Sequence, residues 1–321
     1  MEAWSLNTLL ICFGGGILGT ALGGLFSFVV CGFIVILGCA VVLTGGSDFI
    51  LLQIGLGPVF APHVGGFSAG VVAATYAAGV KNNHPGGAAK DILSPLMESS
   101  WDVLLIGGIA AVLGHVILQL LIKIPVINMS DCIALTVVIL CMGSRLLFQQ
   151  EMPWGDMDSI KTTGYFNTDS CSISWCPWNA TWGRMVILGL GVGLLSGAIA
   201  LATQQVLAPM VEKGTVSPTA AFVVPLILGW ALAAISLMGM NFGTGSIQKF
   251  PVWHCQAILG ALSYLLFGSL LVAGIVGILA GMLQEIMARM FWNHGSNHID
   301  PPACAIALGT LVLNVVSKVA G

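Results

Sequence analysis

Apolar residues fill this chain in blocks of about twenty, separated by short polar breaks, and no two-residue alternation runs through the blocks. A helix that spans a bilayer needs about 20 residues. The blocks predict ten such helices, near 6–27, 28–44, 62–80, 102–122 and 129–148, then 183–203, 219–239, 251–268, 269–289 and 302–319. A membrane β-barrel would instead alternate over segments of about ten residues. The expected fold is an all-α polytopic membrane protein.

Two breaks are not ordinary loops. Residues 45–63 are too apolar for a solvated connection and too interrupted by Gly and by Pro58 and Pro62 for a full helix, so they read as a re-entrant segment or interrupted helix. Residues 240–254 form a shorter counterpart.

The two halves also resemble each other. Gly14-Gly15-Gly16 through Ala21 pairs with Gly191-Val192-Gly193 through Ala198, and Phe28-Val29-Val30 with Phe222-Val223-Val224. Gly107-Gly108 through Gln119 pairs with Ala273-Gly274 through Glu285, and Cys132-Ile133-Ala134-Leu135 with Cys304 through Leu308. The chain thus divides into a first repeat, 1–149, a polar Trp-rich linker, 150–182, and a second repeat, 183–321. Five helices per repeat place the second copy in the opposite orientation, giving inverted repeats with a site at their interface. Glycines spaced four apart, as in Gly15/Gly19/Gly23 and Gly189/Gly193/Gly197, predict close helix packing.

Composition fixes the solvent. Of 321 residues 57% are hydrophobic and 7% charged, where soluble domains carry about 25% charged residues. Stretches Trp4–Ser47, Phe49–Val80, Val103–Ile122 and Gly214–Gln248 carry no charge at all. The expected partner is therefore the lipid bilayer, with a multi-pass location in the plasma (inner) membrane. A net charge of −3 without a basic run leaves no footprint for nucleic acid. Of nine cysteines, seven lie in or near apolar segments, whereas Cys171 and Cys176 share the linker and are close enough in sequence to pair. Orientation is contradictory: most Lys and Arg fall on the linker's side, which the positive-inside rule makes cytoplasmic, whereas a Cys171–Cys176 disulfide belongs to an oxidising compartment.

Polar residues inside a membrane are costly and are functional candidates by default. The first cluster is Asp48, Gln53 and His63, with Thr244, Ser246, Trp253 and His254 as its counterpart; the second is His115 and Gln119 on one helix and Glu285 on the matching one. Asp48 and Glu285 are the candidates for a coupling proton or cation, although Glu285 also stands four residues before Arg289, ion-pair spacing on a helix. His294, His298 and Asp300 read as a solvated loop in preference to a metal site, and Trp154, Trp175, Trp178 and Trp182 as headgroup-level anchors in preference to a cap over a vestibule. Asn179-Ala180-Thr181 is a glycosylation triplet.

No phosphate-binding loop, HExxH or GxSxG pattern occurs. The expectation is a protein that is not an enzyme, with no catalytic or metal residues and no cofactor. It is a secondary transporter or solute channel for a small neutral or anionic solute, or an ion, working alone, as a homo-oligomer or with a partner subunit. The alternative is a non-catalytic membrane subunit or permease component of a larger complex, with Gly79–Ser100 as its docking stretch.

Overall fold

The computed structural model describes residues 2–167, 174–243 and 249–320. Among them every regular element is helical. Ser5 opens α1 (Leu6–Leu22) by accepting the Thr8 amide, and Gly23, at φ 83°, ends it before α2 (Gly24–Leu43). A π-helical turn at Ile50–Gly55 and irregular backbone lead to α3 (Ser68–Tyr76), which runs on as a π turn to Lys81. Then come α4 (Trp101–Leu121) and α5 (Cys132–Ser144, with a π turn to Gln149), the latter capped by the Asp131 carboxylate. The short α6 (Met157–Thr163) lies in the linker. Next are α7 (Trp182–Glu212), α8 (Pro218–Ser236) and the single turn α9 (Met238–Phe242). The chain closes with α10 (His254–Phe267), α11 (Leu270–Met287, with a π turn to Trp292) and α12 (Pro301–Ala320).

Each of the ten predicted spans meets a helix, but among the described residues seven helices are long and apolar enough to cross a membrane. The other three are α1 with 17 residues, α10 with 14, and α3 with nine plus its five-residue π turn. At 1.5 Å per residue a 14-residue helix covers roughly 21 Å, short of a core about 30 Å thick. Both α3 and α10 lie in the interior: Ser68–Thr75 and His254–Ser263 are buried throughout. The stretch before α3 is buried too, with Ala61, His63 and Val64 fully so, and its backbone is satisfied locally by Gly66 N–H to Ala61, Ser68 N–H to Pro62 and Ala69 N–H to Val64.

Packing repeats between the halves. Helix α1 lies on α4, with α3 against both, and α7 lies on α11, with α10 against both. Gly16 abuts Gly107 and Gly108, while Gly193 abuts Ala273 and Gly274, the same aligned positions. A methyl group at Gly193 would collide with the Ala273 carbonyl and Gly274 Cα, whereas one at Gly191 meets nothing within 4 Å. We therefore expect Gly193→Ala to cost about 1–3 kcal/mol through overpacking and Gly191→Ala to be neutral or stabilising, checked by thermal unfolding in detergent.

Across the halves, α2 packs on α8 and α5 on α12. The last helix of each half is capped by an aspartate: Asp131 accepts the Ala134 amide at 2.9 Å and Asp300 the Ala303 amide at 2.8 Å. Fourteen residues after each cap, a side chain reaches the opposite half's loop. Arg145 Nη2 donates to Asn297 O at 2.8 Å, and Asn314 Nδ2 donates to Met129 O at 2.7 Å. These caps set the last helices about one turn away from the Cys132/Cys304 pairing that sequence alone suggests.

Candidate functional site

Two chambers lie between the halves. The larger, about 160 Å³, and the smaller, about 60 Å³, share Phe28, Phe67, His254 and Asp300 as walls. Each of these residues comes from a different helix or helix start. Phe28 projects from α2, Phe67 precedes the first residue of α3, His254 is the first residue of α10, and Asp300 caps α12. Phe28 is the centre of the constriction. Its ring lies 5.6 Å from Phe67, 5.1 Å from Trp230 and 5.2 Å from His254, in edge-on or tilted contacts, the arrangement aromatic rings favour. Neither α3 nor α10 has a side-chain cap. The first two amides of α3 donate instead to the Pro62 and Val64 carbonyls, so of the two it is α10 that starts beside the constriction with helix-start amides that no cap takes up.

The larger chamber carries the polar chemistry. Lys90 donates to Asn293 O at 3.0 Å and holds its Nζ 4.0 Å from the Trp292 ring centroid. Burial, with the Arg145 charge nearby, pushes the Lys90 ammonium down to about 8. Trp292 Nε1 donates to His298 Nδ1 at 2.9 Å, leaving His298 Nε2 to donate to Asp300 Oδ1 at 3.2 Å. His254 is 5% exposed and its Nδ1 meets no hydrogen-bond partner. The smaller chamber is bordered by Asp131, Pro62, Leu56 and Trp230.

The linker roofs the larger chamber. Trp175, Cys176 and Trp178 line it, held by Trp178 Nε1 to Phe250 O at 2.8 Å, Trp175 N–H to Asn293 Oδ1 at 3.1 Å and Asn179 Nδ2 to Val252 O at 3.1 Å. Trp175 and Trp178 thus form a cap, not the headgroup anchors expected, because their rings line the chamber while the Trp178 indole N–H finds a backbone carbonyl and the Trp175 backbone N–H finds the Asn293 side chain. The Asn179 amide of the glycosylation triplet is engaged in the same lattice.

The loop at 293–300 is likewise not solvated: Asn297 is fully buried, with His294, His298 and Asp300 at least nine-tenths so. Asn297 Nδ2 donates to Thr75 Oγ1, Cys141 O and Ser144 Oγ, each at 3.1 Å, which holds the loop inside. Among the described residues no three of His, Cys, Asp and Glu converge as a metal site.

Of the residues expected from sequence to bind solute or carry coupling, His254 alone among the described ones lines the chambers. His298, Asp300, Trp175 and Trp178, expected in a solvated loop or as headgroup anchors, line them as well. Asp48 accepts from Ser217 Oγ at 2.8 Å at the start of α8, and Gln53 sits in the π turn at 50–55. His63 is fully buried against Gly114 of α4, with neither ring nitrogen partnered. His115 Nε2 donates to Ala3 O at 2.8 Å, and Gln119 is half-buried one turn further along α4. Trp253 Nε1 donates to Ser236 Oγ at 3.0 Å, and Glu285 pairs with Arg289 at 2.9 Å. Thr244, Ser246 and Cys171 lie outside the described residues. Sequence reasoning missed Phe28, Phe67, Lys90, Asp131, Trp230 and Trp292. Asp131 was the findable one, standing at the N-cap of α5 as Asp300 stands at that of α12.

No curated protein and no solved structure matches the chain. A family match covers residues 1–159 and 219–321, which takes in the constriction and Lys90 and leaves out the Trp175–Trp178 roof. The chain belongs to DUF7973, a family of unknown function.

Proposed function

We propose that the protein is a multi-pass membrane transport protein that moves a small neutral or anionic solute through the two chambers. The observation that carries this reading is their arrangement: two cavities share one wall, made of Phe28, Phe67, His254 and Asp300, and both halves supply that wall. A carrier needs a site reached from one side at a time, and paired chambers across a thin closure fit that need. The interrupted stretches contribute on both sides, with Leu56 and Pro62 at the smaller chamber and Met240 and Val252 at the larger. Half-helix starts beside a midplane site recur in transporters built from repeats.

Inverted repeats are part of the proposal. The α1–α4 and α7–α11 packing, the Asp131 and Asp300 caps, and the crossed Arg145–Asn297 and Asn314–Met129 bonds are what a pseudo-two-fold relation between five-helix halves requires. In this reading α1, α3 and α10 count among the ten, with the interior pair α3 and α10 completed by the non-helical stretches before them.

Reconstitution tests the function directly. The purified chain in liposomes, without any partner, is expected to pass small solutes such as carboxylates or amides at least tenfold faster than empty liposomes. Flux that appears only with a co-purifying subunit would instead favour a permease component of a complex. No flux for any small solute under either condition would overturn transport.

A further inference from the structure

We infer that the larger chamber binds a small organic monocarboxylate, its carboxylate between Lys90 and His254 and its apolar body against the aromatic constriction. This deepens, and rests on, the transport reading by naming a substrate class.

The argument is an account of hydrogen-bonding capacity. The carboxylate already present, Asp300, has both oxygens engaged, Oδ1 by His298 Nε2 and Oδ2 by the Ala303 amide. His298 has both ring nitrogens engaged, by Trp292 and Asp300. Trp178 spends its indole N–H on Phe250 O. What remains is Lys90 and His254, with the Trp175 indole N–H and the weakly donating Cys176 thiol beside them. An ammonium has three donors; Asn293 O takes one, Trp292 presents only a ring face, and no carboxylate among the described residues lies within ion-pair distance. The His254 ring lines the chamber, its Nδ1 enclosed and unpartnered and its Nε2 making no hydrogen bond among the described residues, at the start of the 14-residue α10, where the helix dipole adds positive potential. A cation, an open imidazole and a positive helix end call for an anion.

Size and polarity narrow it further. The remaining walls are apolar, including Leu25, Ile92, Leu237 and Met240. A volume of about 160 Å³ is close to the ~150 Å³ cavity that accommodates benzene. A solute of roughly six to nine non-hydrogen atoms fits that space, which is the size of butyrate or benzoate and excludes nucleotides and sugar phosphates.

Trp175, Trp178 and Trp292 line the chamber, so intrinsic fluorescence reports binding in the whole protein. Sodium butyrate is expected to give a saturable change, with butyramide and n-butylamine binding at least tenfold more weakly. Lys90→Met is expected to weaken butyrate at least tenfold and to melt no lower than the wild type, since it removes a poorly solvated charge; Lys90→Arg is expected to retain binding. Affinity should fall as pH rises from 7 to 9, through the value of about 8 to which burial lowers Lys90, and Lys90→Arg should lose that dependence. The charged and titratable groups around Lys90 are Arg145 with Glu151, His298 with Asp300, and His254. Equal binding of butyrate and butyramide, or full butyrate affinity in Lys90→Met, would overturn the inference. Liposome flux separates the two claims: flux of neutral solutes without butyrate binding sinks only the monocarboxylate, whereas butyrate binding without flux of any solute sinks only transport.

Discussion

Replacing Arg145 with methionine is expected to cost about 3–5 kcal/mol of stability, the range for removing one partner of a buried ion pair. Arg145 is fully buried at the end of α5. Its guanidinium donates to Asn297 Oδ1 at 2.6 Å, Asn297 O at 2.8 Å and Pro153 O at 2.6 Å, and lies 3.6 Å from Glu151. Glu151 in turn accepts from the Ser296 amide at 2.7 Å and hydroxyl at 2.8 Å. Methionine fills the volume but leaves the part-buried Glu151 carboxylate without its cation and three acceptors, Asn297 Oδ1, Asn297 O and Pro153 O, unmet. Adding Glu151→Gln should recover part of the loss, because the stranded charge is then gone. Denaturation midpoints in detergent measure both variants, and an unchanged midpoint in Arg145→Met would mean that this network does not hold the 293–298 loop. The consequence reaches the larger chamber, because the same loop supplies the Asn293 carbonyl that positions Lys90 and the His298 that engages Asp300. Gly295 belongs to the arrangement as well, since a methyl group there would occupy the space of the Arg145 guanidinium.

The helices and their glycine seams were legible because both depend on near neighbours in sequence. Uncharged runs mark helices in an apolar solvent, and Gly16 and Gly193 announce a close approach whatever lies opposite. The interruption at 45–63 was legible for the same reason, since Pro58, Pro62 and the glycines forbid a continuous helix. The chambers were not, because they depend on which chain segments fold back. Lys90 stands in a polar stretch that reads as an exposed docking loop, yet Lys90, Ile92 and Leu93 line the larger chamber. Phe28 and Trp230 sit in apolar helices where nothing local separates an aromatic facing lipid from one facing a cavity. Arg145 reads as a charge at a helix end, and only the return of residues 293–298 from the other half buries it. Intramembrane polarity pointed to His63 and His115 as readily as to His254, but only His254 starts a helix at the meeting of the two halves.

Phe28→Ala is expected to join the two chambers and raise solute leak through reconstituted protein at least tenfold. Phe28 is 6% exposed and carries ring contacts with Phe67, Trp230 and His254. Removing its ring leaves no side chain that touches all three, so the wall shared by the chambers opens at its centre. The fold pays less than for an ordinary core phenylalanine, where Phe→Ala costs about 3–5 kcal/mol, because Phe28 already borders empty space on two sides. Phe28→Trp should act oppositely and slow flux, since the larger indole must fit against the same three rings. Phe222, its partner in the sequence pairing, is 49% exposed on α8 and lines neither chamber. Phe222→Ala should therefore leave flux within about twofold of the wild type. Efflux of a preloaded fluorescent anion, compared across the three variants at equal protein per liposome, measures the effect. If Phe28→Ala and Phe28→Trp both match the wild type, solute does not pass between the chambers, and the route must run outside the α2–α8 seam.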